Sequence, residues 1–150
     1  MPHAVAPSEI RPGLVVRLDT SLLREQGAET NAQRTEAEDR AVTGVHDFLV
    51  VAVDTRSASC IAVPLFPKTA PGSSPLHERH RAGEAEGWAS VPAFYSRWQH
   101  WRIPLAALAT ASAADPGAPG ARRSYAAGDA DTMQEIANWA WRNRNAYRRA

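Results

Sequence analysis

A chain of 150 residues with a formal net charge of +1 has the size of one ordinary domain and is neither strongly basic nor strongly acidic. That length can bury a core without disulfides or metal, and one cysteine, Cys60, rules out an intramolecular disulfide. The charge is uneven: residues 1–96 hold 9 basic and 12 acidic side chains, whereas residues 97–150 hold 8 arginines and 4 acids. A basic C-terminal third admits anionic partners without requiring them. Lys68 is the only lysine and alanine is abundant, so the arginine count reads first as compositional bias.

Met1-Pro2-His3-Ala4-Val5-Ala6-Pro7 lacks a basic stretch followed by an apolar one, and no apolar run approaches membrane-spanning length. With no cysteine pair, a soluble chain in a reducing cytoplasmic setting is expected, away from membranes. Ile10–Leu18 reads as a first strand, entered through the turn signal Pro12-Gly13. Residues 24–43 are polar and poor in large apolar side chains, which predicts a long loop with at most one helical turn. Two apolar, β-branched runs follow, His46–Asp54 and Cys60–Pro67, joined by polar Thr55–Ser59; this is the pattern of a β-hairpin. Phe48, Val50 and Ala52 alternate with Leu49, Val51 and Val53, so both faces of the first strand are apolar. Such a strand is expected inside a barrel or sandwich. Cys60 falls in the second strand and reads as a small buried hydrophobe.

Residues 68–87 form a second polar loop, and Gly87–Pro92 reads as a short strand. The segment Phe94–Leu105 is densest in aromatic residues, and its second half reads as a strand. Ala106–Ala111 suits a helical turn, and Asp115–Gly120 a flexible connector. The last segment predicts a helix over about residues 131–148, with Asp131 as cap and Gln134 three residues on. Met133, Ile136, Ala137, Ala140 and Tyr147 share its apolar face; Arg142, Asn145 and Arg149 lie largely opposite, and Arg144 sits within the apolar face. The expected architecture is therefore a single mainly β domain: an antiparallel barrel over about residues 9–108, a connector over about 112–128 and the C-terminal α-helix.

Several side chains are candidates for chemistry. In a strand, Trp98, His100 and Arg102 share one surface, while Gln99, Trp101, Ile103 and Leu105 face the core. An indole, an imidazole and a guanidinium together suit stacking on bases and pairing with phosphate; the plain alternative is that they cap the core edge. His77 and His80 are spaced like part of a metal motif but lack helical context and further ligands, so neither a metal nor a cofactor is expected. His46, at the mouth of the expected barrel, has the right intrinsic pKa for a general acid or base.

Three segments carry a resemblance to a known family. Pro12-Gly13-Leu14-Val15-Val16, His46-Asp47-Phe48-Leu49-Val50-Val51 and Ala62-Val63-Pro64-Leu65-Phe66-Pro67, followed by a C-terminal helix, resemble the PemK/MazF family of toxins over roughly residues 9–108 plus the helix. The resemblance implies an SH3-like barrel, a homodimer, and a metal-independent endoribonuclease held in check by an antitoxin. The family's catalytic Arg-Pro pair is replaced here by His46-Asp47. The family's hydroxyl position holds Phe66 or Pro67, with Thr69 the nearest hydroxyl. The catalytic candidates under this resemblance are thus His46, moving the 2′-hydroxyl proton, and Thr69, with Lys68 or Arg102 stabilising the phosphorane. RNA would be bound by Lys68, Trp98, His100, Arg102 and Arg144. The alternative is a non-catalytic module of the same shape that binds protein or nucleic acid through its aromatic and basic face.

Overall fold

The computed structural model describes residues 5–32, 40–68, 73–75, 81–82, 92–96, 98–113, 123–125 and 130–150. A 3-10 turn at Pro7–Glu9 precedes β1 (Leu14–Asp19), α1 (Thr20–Glu25) and β2 (Glu29–Thr30). The hairpin follows as β3 (Val45–Asp54) and β4 (Ser59–Phe66). Next come β5 (Ser73–Pro75), β6 (Arg81–Ala82), β7 (Phe94–Ser96), β8 (Trp101–Pro104), α2 (Leu105–Ala113) and β9 (Arg123–Tyr125). The chain ends with α3 (Ala130–Arg142), a 3-10 turn at Arg144–Ala146 and β10 (Arg148–Arg149).

The fold is mainly β. Strands run in the order β10-β2-β8-β4-β3-β1-β9-β6, every neighbouring pair antiparallel, and β7 joins β4 to β5 at the side of this path. Among the described residues no ladder joins β10 to β6, and the sheet they form is not closed. β4 is shared by two partners along one edge: Ser59–Ala62 pair with β8, and Leu65–Phe66 pair with β7. Pro64 falls in the gap between these ladders, where a residue without an amide hydrogen is tolerated in a buried strand.

The expected alternation of β3 breaks at one point. Val50 pairs with Ala62 but Ala52 pairs with Ile61, so Val51 is an extra residue, a β-bulge. Up to the bulge the faces are as read from sequence: Phe48 and Val50 join one core, Leu49 and Val51 the other. Beyond it they exchange, and Val53 packs on the side of Phe48 and Val50. The two apolar faces of β3 have different covers. One face packs Phe48, Val50, Cys60, Trp101 and Ile103 against Leu23 of α1 and Ala107, Leu108 and Ala111 of α2. The opposite face packs Val15, Leu49, Val51, Val63 and Leu65 against Tyr95 and against Met133 and Ile136 of α3. Helices thus contribute to burying both sides of β3, and Tyr95 of β7 adds to the second.

Residues 20–30 are more ordered than a polar loop. Asp19 accepts the backbone amide and the hydroxyl of Ser21 at 2.9 and 2.6 Å and starts α1. Gly27 ends it with φ +87°: its amide bonds Arg24 and the Ala28 amide bonds Leu23, the Schellman pattern that favours glycine. Ala106–Ala111 likewise belongs to a longer helix, α2, whose alanines are strong helix formers. The C-terminal helix is shorter than expected. It stops at Arg142, Asn143 leaves helical geometry (φ −113°, ψ 27°), and its backbone and side-chain amides both donate to the Trp139 carbonyl, at 3.0 and 2.8 Å. Residues 148–149 then pair with Glu29 and Thr30 as an edge strand. Expectations for Gly87–Val91, residues 114–120, His77 and His80 lie outside the described residues.

Candidate functional site

The exchange of faces at Val51 sets up a cleft. Ala52 lies opposite Ile61, Ile61 opposite Arg102, and Arg102 opposite Glu29, a single row across β3, β4, β8 and β2. Asp54, Ser59 and Pro104 form the next row on the same face. The C-terminal half of α3 and the turn after it roof these rows with Ala137, Ala140, Trp141, Arg144 and Tyr147. The cavity between them measures about 450 Å³, and Gly27 and Ser57 complete its wall.

Its walls are mostly small and apolar, with polar groups at the two ends. At one end Glu29 Oε1 accepts from Arg102 Nε at 3.2 Å and Nη2 at 2.9 Å, with both side chains about a third exposed. The Arg102 guanidinium also lies 5.0 Å from the Tyr147 ring. Tyr147 is 3% exposed, and its hydroxyl has no hydrogen-bond partner among the described residues. Burial raises the Tyr147 pKa to about 12 against the opposing influence of Arg102, so the phenol is neutral. At the other end Asp54 accepts the Ser57 hydroxyl at 2.9 Å and the Arg56 amide at 3.0 Å, which hold its carboxyl below the usual range. Trp141 is 69% exposed at the rim, with the Arg144 guanidinium 5.1 Å from its ring.

The residues expected to act together are distributed over the molecule. Arg102 and Arg144 meet in the cleft. His46 does not: it sits at the far end of β3, half-buried, its ring 5.8 Å from that of Phe66 and edge-on to it. Six residues of extended chain, roughly 20 Å, separate His46 from Ala52 in the cleft, so Arg102 cannot stabilise charge developing beside His46. Lys68 is exposed two residues beyond Phe66, and Thr69 lies outside the described residues.

The expected surface of Trp98, His100 and Arg102 is corrected. Gln99, Trp101 and Ile103 are buried as expected, but His100 is buried too, at 1% exposure, with its ring 4.8 Å from Trp139 of α3. The helix covers the face that the strand alternation offered to solvent, leaving Trp98 exposed and Arg102 half-covered. Thr30 and Asn31 pin this stretch: Thr30 donates to the His100 carbonyl at 2.8 Å, and Asn31 donates to the Trp98 carbonyl and accepts the His100 amide. Gln99 ties it to the preceding loop, accepting from Val42 and Trp101 Nε1 and donating to the Arg40 carbonyl.

Sequence reading missed Glu29 and Trp141 as site residues and placed Tyr147 only as an apolar contact. The two-residue β2 carries no periodicity, and Tyr147 reaches the cleft through the turn after α3. No group of three His, Cys, Asp or Glu side chains that could hold a metal ion occurs among the described residues. None of their helices is long and apolar enough to cross a membrane. No family model, curated protein or solved structure matches the chain.

Proposed function

We propose that the chain is an RNA-binding β domain, a catalytically degenerate relative of the PemK/MazF-like toxins it resembles. The observation that carries this reading is Trp141, exposed at the mouth of a cleft floored by Arg102, with Arg144 beside its ring. Around it, Arg142, Arg144, Arg148 and Arg149 are exposed on a stretch, residues 142–149, that has no acidic residue. Aromatic rings that stack on bases, interleaved with arginines that pair with phosphate, are what sequence-tolerant single-strand binding requires. Base stacking of this kind is worth about 1–3 kcal/mol per base. A homodimer and an antitoxin-like protein partner, in a cytoplasmic setting, belong to the same reading; light scattering tests the dimer.

Fluorescence anisotropy with a labelled mixed-sequence RNA oligonucleotide tests the reading. Binding is expected to weaken steeply with salt, each phosphate contact adding about −0.7 to the log–log slope. Trp141→Ala is expected to weaken binding about 5- to 160-fold, in line with the loss of one stacked base. Binding that is absent, or flat in salt and unchanged in Trp141→Ala, would favour a protein partner.

A further inference from the structure

We propose that the cleft under α3 binds a small amphipathic anion, an apolar body that carries a single carboxylate or phosphate. The proposal goes beyond the RNA reading and does not rest on it. That reading uses the rim of the cleft, and this one its interior.

The interior is apolar and accessible. Ala52, Ile61, Pro104 and Ala137 all line the cavity, and each is only half-buried, so apolar surface stays uncovered between sheet and helix. The volume, about 450 Å³, lies within the range of pockets that enclose small ligands. Such pockets are lined mainly by apolar side chains, with a few polar groups that orient the ligand. Removing this surface from water favours a ligand with an apolar body.

The charged groups then select the head. Arg102 is engaged by Glu29 through Nε and Nη2. Asp54 is engaged by the Ser57 hydroxyl and the Arg56 amide, and the Arg56 charge acts on it as well. Arg144 is different: it pairs with no acid among the described residues. Its Nη1 donates to the Trp141 carbonyl at 3.3 Å, and its guanidinium lies 5.1 Å from the Trp141 ring. That leaves Nε and Nη2, the edge with which Arg102 holds Glu29, for an anion. Because Arg144 is exposed, an anion paired with it keeps water on its outer side while the apolar body lies within. A cation would be repelled by Arg144, and a neutral polar molecule would set its hydrogen-bonding groups against apolar walls.

The test is calorimetric titration of the full chain with octanoate and naphthylacetate, alongside octanamide, octylammonium and acetate. Saturable binding of octanoate or naphthylacetate is expected, at least fivefold tighter than octanamide, with none for octylammonium or acetate. From butyrate to octanoate, each methylene is expected to tighten binding about two- to fourfold. Arg144→Gln should weaken binding at least fivefold with an unchanged melting temperature, and Ala137→Phe, which fills the cleft, at least tenfold. Absence of binding by both anions, or equal binding of octanoate and octylammonium, would overturn the proposal, as would full retention in Arg144→Gln. Vesicles containing phosphatidylglycerol that bind when neither free anion does would assign the arginines to a membrane surface and overturn it too. RNA binding that persists without octanoate or naphthylacetate binding overturns the proposal and leaves the RNA reading standing; binding of either anion without RNA binding does the reverse. If Ala137→Phe fails to fold, photolabelling of the wild-type chain with a diazirine-bearing octanoate decides. Label on the peptides of Ala52, Ile61 or Ala137 supports the proposal, and label elsewhere overturns it.

Discussion

Cys60 lies at the heart of the Trp101 side of the sheet, 1% exposed, and burial pushes its thiol pKa from 9.0 to about 12. The native state therefore keeps the proton where the unfolded chain releases it. Below pH 9 both states are protonated and stability is undiminished. Between pH 9 and 12 ionisation draws the chain towards unfolding, by at most about 1.4 kcal/mol per pH unit. Urea denaturation at pH 8 and pH 10.5 is expected to show this fall, and Cys60→Ala to flatten much of it. Tyr147 adds the same sign above pH 10, because burial raises its pKa as well. The thiol is also expected to resist labelling by an aromatic disulfide in the native state and to react once urea unfolds the chain. That Cys60 is buried and inert was legible from its apolar run. That Tyr147 carries a buried hydroxyl beside Arg102 was not, because the two residues are 45 positions apart in sequence.

At the scale of elements, the hairpin was the most legible part, since two β-branched runs around a polar turn dictate one pairing. Its bulge was not legible: nothing in Val50-Val51-Ala52 marks the extra residue, which arises because β4 supplies one residue fewer over that span. Two turns supply opposite tests of backbone strain. Ala58, in the turn between β3 and β4, has φ +51°, and its carbonyl accepts the Leu105 amide. Relief of a left-handed alanine is worth about 1–2 kcal/mol, against about 0.4–1 kcal/mol of added freedom in the unfolded chain. Ala58→Gly is therefore expected to stabilise by about 0.5–1 kcal/mol. Gly27 has φ +87°, and a methyl there would meet no atom within 4 Å. Gly27→Ala is accordingly expected to cost about 1 kcal/mol through the backbone alone. Thermal unfolding of the two variants should shift in opposite directions.

Across the whole molecule, the sheet separates two chemistries. The His46 end of β3 faces Phe66, while the arginines gather at the Asp54 end beneath α3. General acid–base catalysis needs the proton-transfer group within hydrogen-bonding reach of the reacting atoms. Roughly 20 Å of strand keeps His46 from working with Arg102. Incubation of wild type and His46→Ala with mixed-sequence RNA is therefore expected to give the same background-level cleavage. Cleavage by wild type that His46→Ala abolishes would restore the endoribonuclease reading, with Lys68, two residues beyond the Phe66 that His46 touches, as its cation.

The sequence by itself determined the mainly β class, the central hairpin, the buried cysteine and the apolar stripe of α3. Each of these rests on a local period or a single side chain's preference for burial. Only the tertiary structure decided which faces stay open. α3 packs across the sheet and buries His100, turning an expected binding surface into interior. The same helix roofs Arg102, Glu29 and Tyr147 into a cleft. Those three residues come from β8, β2 and the chain's last turn, and long-range strand register, which no local period encodes, brings them together.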